Sequence, residues 1–190
     1  MSHLERVVVL GSSGSGKTTV ARALATRLDA PHLEMDAVFH GQGWADTAHE
    51  GFVPTLDEFT SKDRWIVDGN YTSHGTREVV WPRADTFVWL DLPKRTAMAR
   101  VVRRTLRRVI TRERLWSNVR EPFSNLYCLD PSRNIIVWTW ARHGHVREKY
   151  ETAMTDGSWS HATVHRLRSA REVNDFLESL SADGADPAEH

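Results

Sequence analysis

The chain has 190 residues, 40% hydrophobic and 26% charged, with 25 basic and 25 acidic side chains and a formal net charge of zero. This is the makeup of one globular domain with a real core, and it excludes a global field that would draw the protein to nucleic acid or a membrane surface. A single cysteine, Cys128, excludes an intrachain disulfide; no apolar run reaches the roughly 18 residues a membrane span needs, and MSHLERVVVL is too short an apolar start for a secretory leader, so a cytoplasmic protein is expected.

In chain order, Arg6 to Leu10 reads as a buried strand and Lys17 to Leu28 as a helix, with Val20, Ala21, Leu24, Ala25 and Leu28 on one face. His32 to Glu34 is a short strand leading to Asp36, and Thr55 to Lys62 a weak helix. Trp65 to Val67 is a strand ending at Asp68-Gly69. Thr86 to Leu90 is a strand ending at Asp91, after which Pro93 opens a long helix. There Met98, Val101, Val102, Leu106, Val109 and Ile110 keep a 3.6-residue period. Arg133 to Thr155 reads as a helix burying Ile136, Val137 and Trp140. Thr163 to Leu167 is a last strand. Ser169 starts the final helix with a capping box, because Glu172 stands three residues on; Val173, Phe176, Leu177 and Leu180 form its apolar stripe. Strands alternating with helices predict an α/β fold, a parallel sheet covered on both faces. Ligands of such sheets sit beyond the carboxyl ends of the strands, where Asp36, Asp68 and Asp91 all fall.

The segment GSSGSGKTT fits the phosphate-binding pattern GxxxxGK followed by Ser or Thr, and it stands between a strand and a helix as that pattern requires. Gly11, Gly14 and Gly16 let the backbone wrap an anion closely. The amides of Gly11, Ser12, Ser13, Gly14, Ser15, Gly16, Lys17, Thr18 and Thr19 line a loop that opens a helix N-terminus, a ready anion site. Lys17 is suited to bridge the β- and γ-phosphates of ATP or GTP, and the Thr18 hydroxyl to ligate Mg²⁺. A second magnesium-side carboxylate is needed at the end of a neighbouring strand. Asp68 and Asp91 both qualify on position.

Together these residues resemble the adenylate-kinase-like small P-loop kinases, and in particular the FlaR-related group labelled adenylate kinase or "DNA topology modulation protein". The matching segments are GSSGSGKTTVARALA, HLEMDAVF with the later Trp44, RWIVDGNY, ADTFVWLDLP, the arginine-rich helix with Glu121 after it, and HRLRSAREVNDFL. The combination of Asp36, Trp44 and Asp68-Gly69-Asn70-Tyr71 is the most particular part. The resemblance implies a P-loop NTPase sandwich, a five-stranded parallel sheet in the order 2-3-1-4-5 with a lid, using ATP and Mg²⁺. It favours Asp68 over Asp91 at the metal, beside Thr18. It puts Asp36 on the acceptor side, there to take or orient the acceptor hydroxyl's proton, and Arg168 near the adenine. One domain is expected over residues 1–181, with the lid over roughly 104–133 and a flexible tail at 182–190. True adenylate kinases carry one arginine soon after strand two and another in a DGFPR segment after strand three, to hold the monophosphate. Here those segments read MDAVFHGQGW and VDGNYTSHGTR, and the first arginine after Asp68 is Arg77.

Between Lys94 and Arg114 stand nine basic residues and one acid, Glu113. Arginine suits bidentate phosphate contacts and stabilises the charge that spreads over the transferred group. By the resemblance, the catalytic lid arginines are Arg104, Arg108, Arg112 and Arg114. A charge run is also commonly a solvated helix face, and with Trp116 and Tyr127 nearby it is a conceivable nucleic-acid surface. Two functions therefore stand side by side: a kinase passing the γ-phosphoryl of ATP to a small-molecule acceptor through Lys17, Asp36 and the lid arginines, and an NTP-binding switch or nucleic-acid-associated NTPase. Neutral net charge and the lack of a base-reading motif favour the first. Ten histidines include one pair at i, i+4 spacing, His161 and His165, but it falls at a loop-to-strand transition rather than on a helix, so no histidine metal site is expected. Trp65, Trp89 and Trp138 read as core; Trp44, in HGQGWAD, reads as a pocket wall or a cover for the sheet rim.

Overall fold

The computed structural model describes residues 4–41, 48–70, 76–111, 130 and 134–183. Five strands, β1 (Arg6–Gly11), β2 (His32–Glu34), β3 (Trp65–Asp68), β4 (Thr86–Leu90) and β5 (Thr163–Leu167), form one sheet in the order β2-β3-β1-β4-β5. Every pairing is parallel. Among the described residues, the α-helices that connect or follow them are α1 (Lys17–Leu28), α2 (Met35–Gly41), α3 (Ala48–Thr60), α4 (Thr76–Val79), α5 (Lys94–Thr111), α6 (Ile135–Thr155) and α7 (Ala170–Asp183), with a short 3-10 turn at Trp81–Arg83. This is the expected strand order and class.

The central strands are unbroken apolar runs because both of their faces are buried. Alternate residues of β1 serve opposite sides. Val7 and Val9 join Val20, Ala21 and Leu24 of α1 and, less deeply, Val173, Phe176 and Leu177 of α7. Val8 and Leu10 join Met35, Phe52 and Leu56 on one side of the sheet and Tyr150 and Ala153 of α6. Trp159 stacks on Phe87 with ring centroids 4.5 Å apart, and Tyr150 and Trp81 close around it at 5.9 and 5.4 Å. The loop carrying Trp159 thereby locks α6 onto the sheet. The final helix is capped as expected: Ser169 Oγ accepts from Glu172 N at 3.1 Å. The Glu172 carboxylate bonds back to the Arg168 amide rather than to Ser169 N.

Asp36, directly after β2, sits in the first turn of α2. Two expectations need correction. In α5 the buried row is Ala97, Val101, Thr105 and Val109, while Leu106 and Ile110 are 42% and 78% exposed. The helix is rotated so that Ala97 and Val101 face Gly14 of the P-loop. In α6 the buried row is Thr139, His143, Tyr150 and Ala153; Trp140 is 59% exposed, its ring covered by the Lys94 ammonium 3.6 Å away, a cation–π contact that leaves the indole at the surface. Trp65 and Trp89 are core, and Trp138 is half-buried. Of the lid range 104–133, residues 104–111 continue α5, and Trp44, Tyr71, Arg112, Arg114, Glu121 and Cys128 lie outside the described residues.

Trp159→Ala removes the ring on which three others pack. It is expected to cost about 3–5 kcal/mol of stability, read as a lower urea midpoint.

Candidate active site

The loop between β1 and α1 is shaped by what surrounds it. At Gly14 (φ +79°) a Cβ would fall on the Ala97 carbonyl and 2.7 Å from Val101 Cγ2; at Gly11 (φ +151°) it would lie 2.6 Å from Ser15 Oγ and 2.8 Å from the Leu90 carbonyl. The loop is thus clamped between β4 and α5, and only glycine permits both approaches. Arg100 Nη1 donates to the Ser15 carbonyl at 2.9 Å, and Ser15 N to the Ser12 carbonyl at 3.1 Å. Ser13 and Gly16 are half-buried, and Thr19 alone of the nine cradle residues is exposed. The hydroxyls of Ser12 and Ser15 are buried and find no hydrogen-bond partner among the described residues. Unsatisfied donors around a positive helix N-terminus fit a polyanion such as a phosphate chain.

Lys17 is half-buried and donates to the Ser12 carbonyl at 3.2 Å. Burial pulls its pKa down from the ordinary lysine value, and nearby Arg104 adds to that; Asp36, Asp68 and Glu34 push the other way. Lys17 therefore lies within electrostatic reach of Asp36 at the start of α2, Asp68 at the end of β3 and Arg104 on α5. Thr18 Oγ1 stands 3.3 Å from Asp68 Oδ1 and 3.4 Å from Glu34 Oε1. One hydroxyl hydrogen serves only one of them at a time. Asp68 is fully buried, with its second oxygen 2.9 Å from His32 Nε2. Arg22 Nη2 reaches the other Glu34 oxygen at 3.3 Å. Burial, then the nearby Asp68 and Asp36 charges, raise the Glu34 pKa above the usual carboxylate range. Glu34 was not singled out in the sequence, because it lies inside a strand rather than after one.

Thr18, Asp68 and Glu34 present hard oxygen donors. No group of three or more His, Cys, Asp or Glu side chains is spaced to hold a metal among the described residues. The oxygen donors fit magnesium, which takes one or two carboxylates and completes its shell with water and substrate phosphate.

Asp91, the rival metal carboxylate by position, is engaged elsewhere. Arg166 grips its Oδ2 through Nε at 2.9 Å and Nη2 at 2.6 Å, and Arg147 Nε lies 3.5 Å from Oδ1. Arg166 also bonds Glu151 and lies over the Trp89 ring at 4.2 Å, so this cluster fastens α6 and β5 to β4. The arginine run divides by helical phase. Arg103 and Arg107 are exposed, Arg100 holds the P-loop, and Arg104 and Arg108 are half-buried one turn apart. Arg112 and Arg114 lie outside the described residues. Arg168 is exposed directly after β5. Arg77 is drawn away from the rim, its Nη2 3.3 Å from Asp156 Oδ2 and its guanidinium 5.2 Å from the Trp81 ring centroid. It therefore supplies no phosphate clamp beside Asp68. His143 and His161 bond the Leu92 and Trp81 carbonyls.

Strand order and loop geometry define a P-loop NTPase fold of the small-kinase type. A shikimate kinase from Acinetobacter baumannii in complex with shikimate superposes with a TM-score of 0.53, covering 99% of this chain and 97% of that one at 17% identity. A sugar kinase from Janibacter sp. HTCC2649 gives 0.52 over 96% and 92% at 18% identity. Deoxyadenosine kinase from M. mycoides with bound dCTP gives 0.50 over 93% and 98% at 12%. In sequence, the shikimate kinase of Thermobifida fusca (strain YX) is 39% identical over 75 residues, a stretch that spans 39% of this chain and 43% of that kinase. No family model matches the chain. No helix among the described residues is long and apolar enough to cross a membrane.

Phosphate bound at the loop favours charged Lys17, whose pKa burial lowers in the free protein. ATP binding at alkaline pH is therefore expected to take up protons, the more so as pH rises toward that lowered pKa. Calorimetry in buffers of different ionisation enthalpy measures the uptake; binding that is proton-neutral at every alkaline pH contradicts the assignment.

Proposed function

We propose that the protein is an ATP-dependent phosphotransferase that moves the γ-phosphoryl of Mg-ATP to a hydroxyl of a small-molecule acceptor, nucleotide-like or otherwise. The observation that carries this reading is the Thr18 Oγ1–Asp68 Oδ1 contact of 3.3 Å beside the glycine-clamped loop that bears Lys17; the charges of Asp36, Asp68 and Arg104 all act on Lys17. The matched proteins support it, since all three structures named above are kinases with the same fold. The FlaR-related subgroup remains part of this reading. An adenylate kinase's monophosphate acceptor is not favoured, because Arg77 is tied to Asp156 and Trp81 and the segments after Asp36 and Asp68 carry no other arginine before it.

Lys17 and the loop amides hold the phosphate chain in line. Magnesium, when bound, neutralises charge on the β- and γ-phosphate oxygens, and Thr18 and Asp68, with Glu34 beside them, are the groups to hold it. Asp36 takes or orients the acceptor hydroxyl's proton. Arg104 and Arg108, with Arg112 and Arg114 from the following segment, stabilise charge on the equatorial oxygens; Arg168 flanks the adenine. Residues 104–133 close over the transfer and exclude water.

Lys17→Ala is expected to keep the fold and lose tight Mg-ATP binding. Asp68→Asn is expected to weaken magnesium-dependent ATP binding. Asp36→Asn should leave ATP affinity unchanged and lower acceptor-dependent turnover by about 10² to 10⁴ if the carboxylate is a general base. ADP formation screened against a metabolite mixture, with and without each variant, makes the comparison. Hydrolysis stimulated by DNA with a steep salt slope, and by no small acceptor, would favour the nucleic-acid-associated reading instead.

A further inference from the structure

Asp68 has two oxygens on a side chain with almost no exposure, and they are divided between two tasks. Oδ1 faces the Thr18 hydroxyl at 3.3 Å and Oδ2 lies 2.9 Å from His32 Nε2. The side chains of His32 and Asp68 are 13% and 1% exposed. The sheet register explains the pairing: His32 stands opposite Ile66 and Glu34 opposite Asp68. Residues 32, 34, 66 and 68 therefore share one face, and His32 and Asp68 are diagonal neighbours on it. An ionised carboxylate only accepts, so the ring nitrogen donates, and Nε2 carries the hydrogen. This chain of contacts runs from β2 through β3 to the first turn of α1, and nothing in the function proposed above uses its first member.

We infer that His32 is a positioning residue for the magnesium-side carboxylate: its Nε2–H holds Asp68 Oδ2 and so keeps Oδ1 turned toward Thr18 and the metal. The inference rests on reading Asp68 as that carboxylate. Magnesium tolerates little departure from octahedral geometry, and a carboxylate with one oxygen pinned presents the other in a fixed direction. Without the donor, Oδ2 is left buried and unsatisfied, and the carboxylate rotates to share Thr18 or to reach water. Partners of this kind typically change metal affinity by about 10- to 100-fold. The competing account is that His32 only satisfies a buried charge and steadies β2 against β3.

The test is calorimetric titration of the full chain with a non-hydrolysable ATP analogue, in excess Mg²⁺ and in EDTA, with melting temperatures recorded alongside. His32→Phe keeps the ring and removes the donor. It is expected to reduce the magnesium-dependent gain in affinity by about 10- to 100-fold while leaving metal-free affinity at the wild-type value. His32→Gln, whose amide restores a donor at a similar reach, is expected to recover most of the gain. Should His32→Phe fail to fold, His32→Asn, whose donor falls short of Asp68, takes its place against His32→Gln. Wild-type magnesium dependence in the donorless variant overturns the inference, as does an equal loss with and without magnesium. Asp68→Asn in the same titration separates the two levels. If it too keeps the wild-type magnesium dependence, the metal role of Asp68 falls and His32 with it; if it loses that dependence while His32→Phe does not, only the inference about His32 fails.

Discussion

A carboxylate without solvent must find hydrogen-bond donors in the protein, and Asp68 is such a group. Its donors come from two other elements, Thr18 at the start of α1 and His32 on β2. Meeting that requirement fixes the height of the P-loop helix against the sheet edge formed by β2 and β3. It also brings Glu34 and Asp36 to the same rim, because both follow within four residues of His32. The concentration of negative charge there is balanced by Lys17, whose own burial lowers its pKa while these same acids raise it. Bound phosphate and magnesium would relieve both sides at once, adding charge of each sign where the free protein holds the other.

The opposite wall is set by packing rather than charge. Gly14 admits the backbone of α5, and Ala97 and Val101, which meet it, go with the helix's rotation. That rotation carries Arg100 to the loop and Arg104 toward Lys17, and leaves Arg103 and Arg107 outward. One arginine run thus presents an exposed face, with Arg103 and Arg107, and a side that holds the P-loop through Arg100. On the far side, the Asp91–Arg166–Glu151 cluster and the Phe87–Trp159–Tyr150 stack hold α6 in place.

Much of this was legible in the sequence where a local rule dominates. α1, β2, β4 and β5 fall on their expected bounds; the glycine-lysine loop marks the start of α1, and β4 is a short, fully buried apolar run. Asp68 beside Thr18 followed from position and resemblance. What escaped depends on neighbours. The face of α5 is chosen by the absence of a side chain at Gly14, far back in the chain, and by small residues that a hydrophobicity pattern discounts. Glu34 and His32 looked like ordinary strand residues, and only the β2–β3 register shows that they face Asp68. Arg77 looked available until its partners on the α6–β5 connection were seen.

A crystal structure with magnesium and a non-hydrolysable ATP analogue tests the central claim most directly. The account predicts Lys17 Nζ released from the Ser12 carbonyl onto the β- and γ-phosphates, with the metal between Thr18 Oγ1 and Asp68 Oδ1 and the Asp68–His32 contact kept. Phosphates bound away from the Gly11–Thr19 loop, or a metal held at Asp91 with Asp68 still closed on Thr18, would contradict it.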